Sequence, residues 1–454
     1  MNGLHTELLH ALGLAGAFTV IFLLGEALRR LMPASPELSR KFVHFSGGLT
    51  ALSFPCLLRH HWTVLGLAAG FSLILAVAKM KGLLKSVHGI ERKSYGAMLF
   101  PVSVYLLFLL GHDKPVLYFV SILVMTVSDT LAAVVGGRYG SIRYEVEDIT
   151  KSLEGSTVFF LITFLCVHLS LLLMTRIGEL DSVLIALVIA LLVTGFEAIS
   201  PTGSDNFFVP LGTYFILAKM MKNPFPETVE QLWILLAMIL VTGMISLKSR
   251  LFKTTGLIGM ILVNYAAWSL CGFAWFLPLF LGQILLYLFV SYFVDKVAEE
   301  ITGYQIKVLF YSALLPTLLV FASNATHDLQ LFFLPYVTSI VAQLAIIHYF
   351  FASITLAGKS AFIQKLTGNR AVMVLYCAAV PGLCIATVPI LLQGRAPLGS
   401  MVIVLTAAGI AVSMFHLLYT RTGLGRSVIP RQQLRLLCTS VAVAVAFLLQ
   451  GTLL

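Results

Sequence analysis

Charged residues are scarce in this chain, and acidic residues are scarcer than basic ones. Only 11% of the 454 residues are charged, with 20 Asp and Glu against 30 Lys and Arg, whereas 59% are hydrophobic. A soluble domain needs a polar surface that this composition does not supply. Long apolar runs recur along the whole chain, at a mean hydropathy of +0.96. Together these features predict an integral membrane protein.

Three further absences narrow the class of protein. The apolar runs lack the alternation of apolar and polar residues that a transmembrane barrel requires, so we expect an all-α polytopic fold. The six cysteines form no CxxC pair, which predicts small core residues rather than disulfides or metal ligands. The net charge of +10 comes from basic residues in short loops, which indicates anchoring at a bilayer surface and no nucleic-acid partner.

Sixteen apolar runs are candidates for transmembrane helices, and we expect about 14 to 16 helices to span the bilayer. The runs at 43–58 and 207–220 are short for a bilayer core of about 30 Å, so they could be re-entrant or tilted. Basic residues concentrate in alternate loops. The positive-inside rule therefore predicts that these loops are cytoplasmic and that both chain ends lie outside.

The apolar run at 115–136 contains an acid, Asp129. It lies seven residues before Gly136, which is about 10 Å below the loop at 1.5 Å per residue. A carboxylate at that depth is costly unless it is paired or bound to a metal, which favours a functional role. Pairing with a basic residue for packing alone is the alternative. Ala132, Ala133 and Gly136 share its helix face and leave room for a ligand or a neighbouring helix.

A glycine-rich turn, a loop and a lysine follow this run. Gly136, Arg138 and Gly140 could bind a phosphate through backbone N–H groups at positive φ, although such a turn is also a common helix end. Lys151 stands before the next run, where a bound anion would explain a cation that the helix dipole disfavours; an ordinary interfacial lysine is the alternative. The next residues are further candidates for phosphate binding: Glu154, Gly155 and Ser156.

A second polar cluster stands at the entrance of the run at 43–58. Arg40 and Lys41 place two cations there, and His44 follows one helical turn after Arg40. The functional interpretation is a clamp for a polyphosphate or a lipid headgroup. Topological anchoring is the alternative for the two cations, but it explains the histidine less well.

A third cluster lies on the same predicted membrane face. Glu197 stands near the end of one apolar run, and Asp205 and Asn206 open the next one. Asp205 could be no more than a helix N-cap. Two or three carboxylates around one site suit Mg²⁺, which keeps phosphate oxygens as ligands. We therefore predict Asp129, Glu197 and Asp205 as its protein ligands.

Three motifs, in this order along the chain, resemble the phytol kinase and dolichol kinase family. They are Arg40-Lys41-x-x-His44, Asp129-Thr with Gly136-x-Arg138-x-Gly140 and Lys151-Ser-x-Glu154-Gly-Ser156, and Glu197-x-x-x-Pro201 with Asp205-Asn206-x-x-x-Pro210. The likeness covers roughly residues 36 to 250. It implies a membrane enzyme that transfers the γ-phosphoryl group of a nucleotide, usually CTP, to an isoprenoid alcohol with Mg²⁺.

The expected roles follow from the motifs and the resemblance together. We expect four catalytic residues: Asp129, Lys151, Glu197 and Asp205. We expect ten residues that bind nucleotide or phosphate: Arg40, Lys41, His44, Gly136, Arg138, Gly140, Glu154, Gly155, Ser156 and Asn206. In this hypothesis Mg²⁺ joins the carboxylates to the β- and γ-phosphates, and a carboxylate takes the proton of the lipid hydroxyl.

Two alternatives remain open at this point. The pattern also looks like CDP-diacylglycerol synthases, which use CTP for cytidylyl transfer to phosphatidate, but their late His-Gly-Gly and Asp-Arg element is missing here. A lipid or small-molecule transporter would instead predict charged residues around a midplane site in both halves. Because the motifs lie in the first half, we predict a catalytic membrane domain at 1–250 and a second, non-catalytic one at 251–454.

Overall fold

A computed structural model of the chain describes residues 2–32, 36–84, 86, 95–147, 149–249, 253–301, 306–355, 369–422 and 428–453. These residues are helical almost throughout, which confirms the predicted all-α fold of a multi-pass membrane protein. The chain forms two compact units, Met1–Leu236 and Ala237–Leu454. All six cysteines are free, and the prediction of core positions was wrong for Cys56 and Cys384, which are exposed. Seven basic residues of the loops predicted to be cytoplasmic lie outside the described residues: Lys85, Arg92, Lys93, Arg250, Lys359, Lys365 and Arg426.

The helices of the first unit surround one segment that contains Asp129. The unit begins with α1 (Asn2–Leu31), α2 (Pro36–Leu52), a short α3 (Phe54–Leu57), α4 (His61–Met80) and α5 (Gly96–Gly111). Helix α6 (Pro115–Tyr139) follows and includes a π-helical turn at Val124–Ser128. A hairpin comes next, formed by β1 (Arg143–Val146) and β2 (Ile149–Ser152). The remaining helices are α7 (Leu153–Met174), α8 (Glu179–Ile199), α9 (Asp205–Met220) and α10 (Phe225–Ser249), which continues into the second unit.

The second unit is built around one buried helix, α14. Its helices are α11 (Thr254–Cys271), α12 (Phe273–Ile301), α13 (Ile306–Thr326), α14 (Leu329–Thr355), α15 (Arg370–Leu392), α16 (Pro397–Thr422) and α17 (Val428–Leu453). Phe333 and Tyr336 of α14 are fully buried and pack against the ring of Trp275. The Tyr336 hydroxyl donates to the Trp275 carbonyl, so the polar end of this ring is satisfied inside the bundle.

Each of the sixteen predicted apolar runs falls on a helix or, for the run at 43–58, on two helices, although residues 356–357 of the run at 331–357 lie outside the described residues. The helices differ in length. Twelve of the described helices are long and apolar enough to cross a membrane, and two apolar segments, Gly96–Gly111 and Phe273–Phe289, are shorter. The runs at 43–58 and 207–220 belong to α2 with α3 and to α9. Both of these helices begin with polar residues of the predicted motifs, so their apolar length is reduced where the candidate site begins.

The segment between Gly140 and Lys151 differs from the predicted loop because it forms an antiparallel hairpin. Val146 pairs with Ile149 and both are buried, while Tyr144 pairs with Lys151. Apolar β-branched residues on one face favour such a pairing. The hairpin therefore determines which way the Lys151 side chain points at the start of α7.

Candidate active site

Two residues of α2 hold the carboxylate of Asp129. The Lys41 Nζ lies 2.7 Å from Oδ2 of Asp129 and donates to the Asp129 carbonyl at 3.2 Å. The His44 Nε2 lies 3.3 Å from the same Oδ2. All three side chains are largely buried. Lys41 and Asp129 are 88 positions apart in sequence, so the fold joins the first and second predicted clusters into one site.

A π-helical turn and a glycine bring α2 close to Asp129. The turn at Val124–Ser128 ends directly before Asp129, and its Met125 carbonyl lies 3.2 Å from the His44 Nε2. Such turns displace backbone carbonyls from the regular helical pattern and recur at functional sites. A Cβ on Gly48 of α2 would lie 2.0 Å from the Thr126 Oγ1, so only glycine permits this approach.

Lys151 and Glu197 form a second buried ion pair in the same unit. The Lys151 Nζ lies 2.7 Å from the Glu197 Oε1 and also donates to the Glu197 carbonyl. The Ser156 hydroxyl donates to the Glu197 Oε2 at 3.5 Å, and the Tyr144 hydroxyl lies 2.7 Å from the Ser156 Oγ. The fold thus brings three predicted residues together and adds Tyr144. That residue becomes recognisable only once the hairpin pairs it with Lys151.

Arg40 and Asp205 interact through their charges with residues of the two ion pairs. Arg40 is held by Glu37 through contacts of 2.5 and 3.1 Å, and it also interacts with the charges of Asp129 and Asp205. Burial acts to lower the pKa of Lys151, but the carboxylates of Glu197 and Asp205 outweigh it, and the pKa is raised above its ordinary value. Lys151 is therefore a cation throughout the neutral pH range.

Asp205 also takes part in the start of its own helix. Ser204 occupies the N-cap position of α9, and the Asp205 Oδ1 accepts the N–H of Asn206 at 3.0 Å. Asp205 is therefore the first residue of the helix and not its N-cap, so the N-cap alternative was wrong.

The glycines of this region provide room rather than an unusual backbone conformation. None of Gly136, Gly140 and Gly155 has a positive φ, so that part of the prediction was wrong. A Cβ on Gly140 would lie 2.3 Å from the Gly136 carbonyl oxygen and 2.7 Å from the Ser152 Cβ. A Cβ on Gly155 would lie 3.2 Å from the carbonyl oxygen of Ala132. The small residues of α6 therefore admit the neighbouring helix α7, one of the two possibilities left open by the sequence.

We predict that Gly140→Ala lowers the free energy of unfolding by about 1–3 kcal/mol, because the added methyl group overlaps backbone and Ser152. Gly137→Ala, three residues earlier in the same turn, is the matched control because no atom lies within 4 Å of its added Cβ. Denaturant unfolding of the purified variants measures the difference. Equal stability of the two variants would contradict the packing role.

Three of the predicted phosphate-binding residues make their described contacts with residues outside the two lysine–carboxylate pairs. Arg138 is exposed, with its guanidinium 5.5 Å from the centre of the Tyr139 ring. The Glu154 Oε1 accepts the backbone N–H groups of Ser141 and Ile142 at 2.9 and 3.1 Å. These N–H groups are therefore already occupied by a carboxylate of the protein.

Asn206, the third of these residues, is buried at the start of α9 and lies against Gly96 of α5. Its Nδ2 lies 2.7 Å from where a Cβ on Gly96 would stand. The phosphate-binding roles of Arg138, Glu154 and Asn206 stay predictions.

The three predicted metal ligands do not form a ready-made metal cluster. Within the part of the chain that the structure describes, no group of three or more His, Cys, Asp or Glu side chains is arranged to hold a metal ion. Asp129 and Glu197 each face a lysine instead. Mg²⁺ usually takes one or two carboxylates together with phosphate oxygens and water. Carboxylate side chains are of the type that binds Mg²⁺ in that shared manner, and the role of these three as its ligands stays a prediction.

The chain is similar to a curated kinase over most of that protein's length. It is 35% identical over 212 residues to a phytol kinase from Synechocystis sp.. The match covers 45% of this chain and 89% of that protein. No protein-family model matches the chain, and no solved structure matches it.

Proposed function

The chain belongs to the phytol kinase-like family, and on that premise we propose that it phosphorylates an isoprenoid alcohol within the membrane. The expected phosphoryl donor is a nucleoside triphosphate, with CTP as the first choice. The observation that carries the proposal is the convergence of two buried lysine–carboxylate pairs, Lys41–Asp129 and Lys151–Glu197, in one unit of an apolar helical protein.

This arrangement suits phosphoryl transfer because that reaction depends on positioning and on neutralising charge. Its transition state spreads negative charge over the oxygens of the transferring group. Cations that a protein holds in place before the substrate binds need little reorganisation during the reaction. Lys41, Lys151 and Arg40 are such cations, since each is held by a carboxylate of the same unit.

Each ionic residue has a distinct role in this proposal. Lys151 and Arg40 neutralise the charge of the transferring phosphoryl group, and Lys41 orients Asp129. Asp205 takes the proton from the lipid hydroxyl, because Glu197 is already engaged with Lys151. Asp129 and a second carboxylate would hold Mg²⁺, which would supply further neutralisation of phosphate charge. The apolar helices of the unit receive the isoprenoid tail from the bilayer.

The deciding experiment uses the purified chain in lipid nanodiscs with Mg²⁺ and CTP labelled at the γ-phosphate. A mixture of prenols and phosphatidate is supplied, and the Asp129→Asn variant is the inactive control. Label that moves into a prenol supports the proposal and identifies the acceptor. Label released as pyrophosphate in the presence of phosphatidate would replace it with cytidylyl transfer. Absence of turnover with every nucleoside triphosphate would favour the transporter alternative.

We predict that Tyr144→Phe lowers kcat by about 3- to 10-fold, which corresponds to the loss of one ordinary hydrogen bond. The Tyr144 hydroxyl contacts Ser156, which in turn contacts Glu197, so its loss loosens the carboxylate that holds Lys151. Ser156→Ala should have a similar effect, and the double variant should lose little more because both act through one chain of contacts.

The control for this prediction is Tyr139→Phe. Tyr139 is 64% exposed at the end of α6, and we expect its variant to keep full activity. Additive losses for Tyr144→Phe and Ser156→Ala would mean that the two hydroxyls act separately. In that case Tyr144 is not a positioning residue for Glu197.

A further inference from the structure

A tight turn at the end of α15 fixes the position of one arginine in the second unit. Gly394 has a positive φ of 65°, its N–H donates to the Leu391 carbonyl, and the Arg395 N–H donates to the Ile390 carbonyl. These bonds form a Schellman motif, a common helix end that favours glycine at this position. The backbone of Arg395 is therefore held directly after the helix, and its side chain reaches the start of α14.

The Arg395 guanidinium lies at the start of α14 and keeps an unused donor. Its Nη2 donates to the Gln330 carbonyl, and the group lies 5.9 Å from the centre of the Phe333 ring. Its Nε is buried and makes no hydrogen bond within the described part of the chain. A buried N–H of a charged group is costly unless an acceptor reaches it. This nitrogen therefore indicates a ligand with an oxygen acceptor.

A glutamine of α17 provides an unused acceptor at the same helix end. Pro335 has no N–H, so the Leu331 carbonyl lacks its usual helical donor. The Gln450 Nε2 donates to this carbonyl at 3.4 Å, whereas the Gln450 Oε1 is buried with no partner among the described residues. Gln330 and Leu331 are consecutive residues, so Arg395 and Gln450 converge on one turn of α14. Together the two side chains indicate a ligand with both an acceptor and a donor.

An acid beside this pair determines which net charge suits the ligand. Asp328 precedes α14, and its Oδ1 accepts the Leu331 N–H at 2.8 Å. Burial lowers the pKa of Arg395 below its ordinary value, although the charge of Asp328 acts to raise it. The nearby amides of Gln330 and Gln393 bond to each other at 3.3 Å. A ligand with one negative and one positive group would complement both charges, whereas a net anion would also face the Asp328 carboxylate.

The position of the pair along the helices matches that of a lipid headgroup. Three candidate membrane spans begin or end within a few residues of it: Leu329–Ser353, Arg370–Leu392 and Pro430–Thr452. The ends of membrane-spanning helices lie at the level of the phospholipid headgroups. Each of the three helices also has an exposed leucine near this end: Leu331, Leu392 and Leu448. These leucines offer apolar surface to the acyl chains of a bound lipid.

We propose that Arg395 and Gln450 bind the headgroup of a phospholipid that carries a phosphodiester and a primary ammonium group, as phosphatidylethanolamine does. The Arg395 guanidinium donates to a phosphate oxygen, and the ammonium group donates to the Gln450 Oε1 beside the charge of Asp328. Phosphatidylcholine has the same phosphate and net charge but no N–H, so it can form only the first contact. The site lies within the second unit and is independent of the reaction proposed for the first unit.

The test compares the retention of these two lipids by the purified full chain. The protein in detergent is incubated with equal amounts of phosphatidylethanolamine and phosphatidylcholine that have the same acyl chains, and native mass spectrometry counts the bound lipids. We expect about tenfold more phosphatidylethanolamine, the difference expected for one charge-assisted hydrogen bond. Equal retention of the two lipids by the unchanged protein would overturn the proposal.

Variants at the two residues separate their contacts. Gln450→Leu should remove the preference but keep phosphatidylcholine bound, whereas Arg395→Gln should lower the retention of both lipids. Gln433→Leu, at an exposed glutamine near the other end of α17, is the matched control and should keep the preference. A Gln450→Leu variant that still prefers phosphatidylethanolamine would contradict the proposal, even if Arg395→Gln fails to fold. Displacement by free phosphoethanolamine at the lipid's own concentration would assign the site to a soluble ligand and overturn the lipid assignment.

Discussion

Asp129→Asn is expected to lower kcat by about 10²- to 10³-fold, the range seen when one electrostatic group is removed from an active site. The substitution keeps the size of the side chain and one oxygen that can accept from Lys41. It removes the negative charge that Lys41 and His44 surround. Labelled-CTP turnover in nanodiscs measures the effect. Retained activity would contradict the metal-binding role proposed for Asp129.

The same substitution is also expected to lower stability, so the two effects need separation. It leaves the buried cation of Lys41 without its charged partner, and breaking a buried ion pair costs up to about 3–5 kcal/mol. Lys41→Met combined with Asp129→Asn removes both charges and should recover most of that stability. We expect the double variant to remain inactive. If it is fully active, the pair serves packing alone, which was the open alternative for Asp129.

The buried acid Glu7 provides a control in which the protein loses stability but not activity. Glu7 is 4% exposed and its carboxylate lies 2.5 Å from the His60 Nδ1. None of the predicted motifs includes it. Glu7→Gln is expected to destabilise the protein while leaving kcat unchanged, so that activity lost in Asp129→Asn is not attributed to weakened folding.

Lys151→Met is expected to lower kcat by about 10²- to 10³-fold, since it removes a fixed cation beside the transferring group. Lys151→Arg should recover only part of the activity, because the planar guanidinium cannot repeat the contacts of one ammonium with both the carboxylate and the carbonyl of Glu197. Steady-state kinetics with labelled CTP measures both variants. Full activity of Lys151→Met would restore the interpretation of an ordinary interfacial lysine.

The raised pKa of Lys151 adds a pH dependence to this prediction. The pKa of Lys151 is higher in the folded protein than its ordinary value of 10.5, so its charged form stabilises the fold. This stabilisation is fully present below pH 10.5, and it is lost together with the charge as the pH rises through the folded pKa. We therefore expect no alkaline loss of activity from this group between about pH 7 and 9. Glu197→Gln removes the carboxylate that raises this pKa most, so the alkaline limb of its pH–rate profile should move to lower pH. An unmoved limb would mean that Lys151 does not set it.

The sequence alone sufficed for the fold class and for the choice of residues worth testing. Length and hydropathy of the runs predict membrane helices because an isolated segment in a bilayer must satisfy its own backbone hydrogen bonds. Asp129 and Glu197 were identifiable because an ionic group is costly within such a segment. The hairpin at 143–152 was not identifiable in this way, since a pair of four-residue strands between helices leaves little periodic signal.

What only the tertiary structure decided is which residues meet. Lys41 reaches Asp129 across 88 positions, and Lys151 reaches Glu197 across 46. Such partners depend on which helices pack together and at what rotation, and no local pattern records that choice. The glycines illustrate the same limit of local reasoning: their spacing indicates a close approach, but only packing shows that Ser152 and Gly155 lie against Gly136. The sequence by itself determined the helices and their ionic residues, because these follow from the cost of burying charge, whereas packing determined the pairs.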